Sequence, residues 1–462
     1  MSRLGWIVGV VVAFVLVVGG GVWFVWGGDD EAPGGGDRKQ QAQFDGPGTE
    51  KKPVDPKARL LFPVMDPKVG KNETAFAPGA WVTDETYVKN GLGSVAGYDL
   101  KSGRQVWEIA LGGEICDYTQ TVDEGRTGVL FRDGMPGKGG TPEPCTEIAV
   151  LDLDAGLMLW QHSVKRSGTK IAFRQLAVGA GKVAVAGDGG GAAFELGSGD
   201  LRWEPRPAQT CYDMAYEGSE DGLVALQNCG HEENSRAQVQ VLDDGGKPRS
   251  TYKLPKALDF AQLVSADPLV VAGFSEAKLT DYFSIDRRKG TLRSKIAVDP
   301  ERFGSPCTIL VHIHCDGVAV GNDRLYLATE ERRTKNDAES VNEIVSFDLA
   351  TGKATGQRAD SGGKNPLRII RMDGRDLIAS RMPTFITPGQ VIKIDGRTFK
   401  ETVYLTVPEK DRESAAAQQH FAGTDKVEIR YTDGRLFLSE LSVRQPDPDD
   451  PPYLAAVFGA SD

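Results

Sequence analysis

A chain of 462 residues with 40% hydrophobic side chains can bury a large core, and its 56 glycines and 25 prolines suit many short strands joined by turns. Its 65 acidic side chains against 54 basic ones leave a formal net charge of −11, which excludes the basic footprint of a nucleic-acid binder.

The first element in chain order is an uncharged apolar run, residues 5–26. A helix of that length spans about 33 Å, enough for a hydrocarbon core of about 30 Å. Arg3 precedes it and Asp29, Asp30 and Glu31 follow. Positive charge therefore stays inside, which predicts a cytoplasmic stub at 1–4, a transmembrane helix at 5–26 and the body of the chain outside. A cleaved signal peptide fits less well, because the run exceeds the usual apolar stretch of about 7–15 residues and no Ala-x-Ala site follows. The expected localisation is the cell membrane, single-pass, with the N-terminus inside. Residues 27–58 are rich in Gly, Pro, Gln and charge and read as a flexible extracytoplasmic linker, having too few apolar groups to offset the entropy of ordering.

From there a repeat dominates. Asp99, Gly103 and Trp107 recur as Asp152, Gly156 and Trp160, then as Glu195, Gly199 and Trp203, with the glycine four and the tryptophan eight residues after the acid. Weaker copies lie around Asp243, Asp286, Asp348 and Asp395, so that the anchors are separated by 53, 43, 48, 43, 62 and 47 residues. Such a period marks units too small to bury their own apolar faces. Each unit reads as four strands; in the fifth they are 261–266, 269–274, 282–286 and 292–298. The acid suits the turn between the third and fourth strands, where its carboxylate can accept the turn amides and glycine can take positive φ. The tryptophan supplies surface for packing on the next unit. Near the C-terminus, 427–439 reads as a first-to-second-strand hairpin and 453–458 as a third strand. A strand near 58–63 would complete this last unit. The prediction is an all-β, eight-bladed β-propeller over 59–462, with seven blades as runner-up.

The acid, Ser/Thr-Gly, Trp pattern resembles the repeat of quinoprotein-type propellers, which include quinoprotein alcohol dehydrogenases and the propeller lipoprotein of the outer-membrane barrel-assembly machine. It is most similar to the membrane-anchored PQQ-like repeat proteins of actinobacteria. The resemblance covers roughly 59–462 and implies the fold rather than one activity.

Six cysteines fall as local pairs, Cys116 with Cys145, Cys211 with Cys229 and Cys307 with Cys315, as expected for structural disulfides outside the cytoplasm. His312 and His314 alternate between the last two cysteines, a zinc-like set, but an oxidised pair offers no thiolates. His162 follows Trp160 on a strand, and His231 and His420 read as solvated loop residues. A working quinoprotein of the resembled family would carry adjacent cysteines over its quinone beside a calcium ion. This chain has no Cys-Cys dipeptide, so neither PQQ nor calcium is expected. No catalytic, cofactor-binding or metal-ligating residue is assigned, since nucleophile elbows, phosphate loops, EF-hands and His-Glu-x-x-His are all missing from the sequence.

The sequence thus predicts a membrane-anchored extracytoplasmic binding or scaffold propeller for a protein or envelope polymer. The alternative is a PQQ-dependent dehydrogenase or another enzyme with a site in the central channel. Long connections at 132–145, 228–236, 330–342 and 383–390 should share one face, which is then the expected binding face.

Overall fold

The computed structural model describes residues 48–460 except 71–73, 136–142, 206–209, 231–234, 305, 308–314, 316, 335–339, 363–364, 385–386, 423–426 and 446–451. The expected stub at 1–4, the span at 5–26 and the linker as far as 47 lie outside the described residues, as do His231, His312 and His314. Among the described residues no helix is long and apolar enough to cross a membrane.

Eight four-stranded antiparallel sheets form the blades. Blade 1 is Ala80–Val82, Thr86–Asn90, Ser94–Asp99 and Gln105–Ala110; blade 2 is Ile115–Tyr118, Arg126–Arg132, Cys145–Asp152 and Leu157–His162. Blade 3 is Gln175–Gly179, Lys182–Gly187, Gly190–Glu195 and Leu201–Trp203; blade 4 is Cys211–Ser219, Gly222–Cys229, Arg236–Leu242 and Pro248–Lys253. Blade 5 is Phe260–Ala266, Leu269–Ser275, Lys278–Asp286 and Thr291–Ala297; blade 6 is Val318–Gly321, Arg324–Ala328, Glu343–Asp348 and Ala354–Asp360. Blade 7 is Leu367–Asp373, Asp376–Arg381, Gln390–Ile394 and Glu401–Thr406. Blade 8 takes Val427–Thr432, Arg435–Glu440 and Tyr453–Gly459 from the C-terminal end, and its outer strand, Arg59–Met65, from before blade 1. First strands of successive blades touch from blade 2 to blade 8, and they line a central channel.

Each blade is covered on both faces, which is why middle strands such as Lys182–Gly187 are buried throughout. Eight apolar clusters result, one at each blade junction. The repeat motif explains several of these contacts. A Cβ on Gly156 would sit 2.4 Å from the Trp107 ring, and one on Gly246 would lie 2.7 Å from Trp203, so each tryptophan rests on the turn glycine of the next blade. Trp160 stands over Gly199 in the same way and donates its Nε1–H to Leu196 O at 2.9 Å. At the closing junction Phe62 does this over Gly103. A bulge just before each tryptophan turns its ring toward the neighbour.

The acids mostly cap their turns. Asp99 Oδ1 accepts from Ser102 N at 2.7 Å and Asp152 Oδ1 from Ala155 N at 2.8 Å. Hydrogen bonds of this kind hold the carboxyls of Asp99, Asp243, Asp286, Asp348 and Asp395 below their ordinary range. Glu195 differs in its side chain, which pairs with Arg202 at 3.0 Å, while its backbone oxygen takes the Gly199 amide as that of Asp99 takes Gly103.

Among the described residues two short helices interrupt the β pattern, Pro300–Phe303 and Arg412–Ala422. The second is capped by Asp411, which accepts from Ser414 N at 3.1 Å. It carries His420, which is therefore not a solvated loop residue: its ring packs on Phe421 and Tyr453, 3.3 Å from Glu440. His162 likewise stacks on Trp160 and Phe194.

Residues 48–50 and 56–58, assigned to the linker on composition, pack on the propeller. Asp373 accepts from Thr49 N at 2.7 Å, and buried Glu50 takes the Arg371 guanidinium at 2.6 Å and the Asp433 amide at 3.1 Å. A Cβ on Gly48 would lie 2.3 Å from Asp373 Oδ2, so only glycine fits there. Composition misses this latch because its partners lie far along the chain.

Candidate functional site

The two faces of the disc differ. One carries the first-to-second and third-to-fourth strand turns, none longer than 119–125. The opposite face carries the second-to-third connections, long at 133–144, 329–342 and 441–452, and the blade-to-blade crossings, long at 163–174, 298–317 and 407–426.

Every disulfide lies on this elaborated face. Cys116–Cys145 ties the end of the 133–144 loop to the inner strand of blade 2, Cys211–Cys229 joins facing strand ends in blade 4, and Cys307–Cys315 closes part of the crossing into blade 6. Three two-stranded ribbons stand there as well: Lys165–Arg166 with Thr169–Lys170, Arg332–Arg333 with Ser340–Val341, and Thr74–Phe76 with Ser442–Arg444. Ion pairs brace the loop bases. Lys170 reaches Asp133 and Glu147, both at 2.7 Å, and Arg132 meets Glu114 at 2.8 Å.

Over blades 8, 1 and 2 this face exposes three large apolar side chains, Met65 at 53%, Phe76 at 37% and Met135 at 51%. Met135 is held over blade 1, since a Cβ on Gly93 would lie 2.7 Å from its sulfur. Exposed methionines, unbranched and polarizable, and an exposed aromatic ring are side chains suited to adaptable protein contacts. Next to it, burial and then Glu440 push the Asp66 carboxyl up to about 6. The lengths of 133–144 and 329–342 were visible in the sequence, whereas the exposure of Met65, Phe76 and Met135 was not.

The channel contains a cavity of about 550 Å³. Its wall includes the apolar Leu263, Val264 and Val318 of blades 5 and 6, with Glu330 and Glu331 beyond them, and is charged at blades 7 and 8, with Arg371, Glu428 and Arg430. The charges at blades 7 and 8 are already engaged. Glu428 Oε1 accepts from Arg430 at 2.6 Å and from Tyr118 OH at 3.3 Å, while Arg371 is held by Glu50. Behind the wall, Lys89 is buried and donates to Ala77 O at 2.5 Å and Gly79 O at 3.3 Å, filling in for the three-residue inner strand of blade 1. Burial pulls its ammonium down to about 8. Among the described residues no group of three or more His, Cys, Asp or Glu could hold a metal. Glu428 in the channel wall is thus paired with Arg430, and the sequence holds no adjacent cysteines.

The family model described as outer membrane protein assembly factor BamB matches residues 68–213. No curated protein matches the chain. Among solved structures, the computationally designed Ika8 protein is similar at 10% identity and TM-score 0.49, covering 87% of this chain and 100% of that one. BamB from Moraxella catarrhalis is similar at 10% identity and TM-score 0.44, covering 85% of this chain and 99% of that one. A europium-containing methanol dehydrogenase gives 12% identity and TM-score 0.47, covering 87% and 93%. The eight sheets make the described chain a β-propeller, and the family match is confined to residues 68–213.

Proposed function

We propose that this protein is a non-catalytic binding scaffold, held at the cell membrane by residues 5–26 with its propeller on the outer side, and that it docks a protein on its elaborated face. The observation that carries this is the asymmetry of the disc: every disulfide, every ribbon and every long connection described lies on one face. Stiffening loops that a hairpin does not need lowers the entropy lost on binding. The family match over 68–213 supports a protein as partner.

A photo-crosslinking residue placed at Met65, Phe76 or Met135 in the full chain should give adducts in intact cells. The same residue at Lys101, Ser198 or Lys289, exposed on the plain face, should give none. Equal labelling from both faces, or labelling from the plain face alone, contradicts the assignment. Turnover of alcohols or sugars by the purified chain supplied with pyrroloquinoline quinone and calcium contradicts the absence of catalysis.

A further inference from the structure

The junction between blades 5 and 6 buries a whole side-chain amide without a hydrogen-bond partner, beside a tyrosine hydroxyl of the kind also buried at Tyr87, Tyr326 and Tyr431. Gln262, on the inner strand of blade 5, is wholly buried, yet neither its Nε2 nor its Oε1 has a hydrogen-bond partner. The register sets Gln262 opposite Ala272 and Ala272 opposite Tyr282, so both long side chains share one sheet face above the alanine methyl. The Tyr282 hydroxyl is also buried and unpartnered, and so is Ser284 two residues on, with its side chain on the same face. Facing them are Val320, Leu325, Leu327 and Val345 of blade 6, none of which can donate or accept.

All three residues are at 0% exposure, so they are closed off from bulk solvent in the closed ring. A dry, unmatched polar group weakens the contact that buries it, and it regains its hydrogen bonds once water enters. No tryptophan covers this junction either: Gly352 meets the backbone of Lys295 and the Cβ of Ser294. What fastens it lies at the rim, where Arg293 grips Asp323 at 2.8 and 2.9 Å and Ser294 Oγ donates to Leu349 O at 2.7 Å. The mismatch therefore lies on the first and third strands of blade 5, while the clamp joins its fourth strand to the first turn of blade 6.

We propose that the ring has a built-in opening junction between blades 5 and 6, whose inner ends part about the Arg293–Asp323 clamp and let water reach Gln262, Tyr282 and Ser284. Val264 and Val318 line the channel at this junction, so parting widens the channel between these apolar side chains. The motion belongs to a low-lying local opening rather than to global unfolding.

Hydrogen exchange on the full-length protein tests this. Amides of Phe260–Ala266 and Val318–Gly321 should exchange at least tenfold faster than those of Gln175–Gly179 and Cys211–Ser219, the inner strands of the blade 3–4 junction. The double variant Gln262→Leu with Tyr282→Phe should slow exchange at the first pair about tenfold and leave the second pair unchanged. If the double variant does not fold, Tyr282→Phe alone carries the test with an expected slowing of about threefold. The proposal is overturned by equal exchange at the two junctions, or by a folded variant whose blade 5–6 amides exchange as in the parent.

Discussion

The blade 3–4 and blade 5–6 junctions each bury a glutamine from an inner strand and a tyrosine, with opposite outcomes. At the first, Gln175 donates to Tyr216 O and accepts from Tyr216 N, both at 2.8 Å. The Tyr216 hydroxyl donates to Asp213 at 2.7 Å and accepts from Trp203 at 3.1 Å, and Gln227 extends the network. The core around it is thin, with Ala177, Ala184, Ala186, Ala193 and Ala225. At the second, Gln262 and Tyr282 have no partners, while the surrounding core is rich in Val, Leu, Ile and Phe. The ring is thus held by hydrogen bonds where its apolar contact is small, and tolerates unmatched polar groups where apolar contact is large. A buried network is worth most when complete, and an isolated member costs most when dry.

Replacing the two glutamines gives the widest separation. Gln175→Leu strands the amide and carbonyl of Tyr216 and should lower unfolding free energy by about 3 kcal/mol, whereas Gln262→Leu removes an unmatched amide and should raise it by about 1 kcal/mol. Urea denaturation followed by tryptophan fluorescence measures both, and a loss of similar size at each position breaks the comparison. The tyrosines should follow with smaller steps. Tyr216→Phe is expected to lose about 2 kcal/mol by stripping a donor from Asp213, and Tyr282→Phe to gain up to about 1 kcal/mol. A thermal melt that falls for Tyr282→Phe would reveal a partner for that hydroxyl.

A third junction, between blades 8 and 1, sharpens the contrast through pH. Asp66 has its carboxyl raised from 3.8 to about 6 by burial and then by Glu440. A raised carboxyl favours the folded state fully below the unfolded value, and that contribution is lost as pH rises through about 6. Stability should therefore fall between pH 4 and 6 on this account. Asp66→Asn should flatten that slope and gain about 1 kcal/mol at pH 7, the full shift being reduced by partial solvent screening. An unchanged slope in melts across that range excludes Asp66 as its source.

The parts of this molecule legible in the sequence are those in which cause and effect lie close together. Asp99, Gly103 and Trp107 sit within one hairpin, so their spacing announces a blade, and seven such anchors with a C-terminal hairpin announce eight. The Asp411 cap and the alanine-rich run after it also signalled a helix, masked by the surrounding strand pattern. Contacts over long separations left no local trace. Nothing around Gly48, Thr49 and Glu50 shows that Asp373 awaits them 324 positions away. Phe62 takes the tryptophan's role for blade 8 while standing before its own glycine in the chain, so the fixed offset fails there. On the binding face, loop length was visible but not which side chains the folded ring leaves uncovered.

The outer strand of blade 8 has a consequence for the order of events in folding. Arg59–Met65 is synthesised before any complete blade, yet its partners Tyr453–Gly459 come last, and even its contact with the C-terminal helix spans 354 positions, Leu60 N to Ser414 Oγ. Blades 1 to 7 can form from neighbouring sequence as the chain emerges, while this strand waits with one edge unpaired. Pairing over such separations is slow, because the loop must be closed before the contact rewards it. During that wait Tyr453–Gly459, buried almost throughout in the finished ring, has an open edge to which any other strand can add. Closing the ring is the step at which the chain is most exposed to joining another copy of itself.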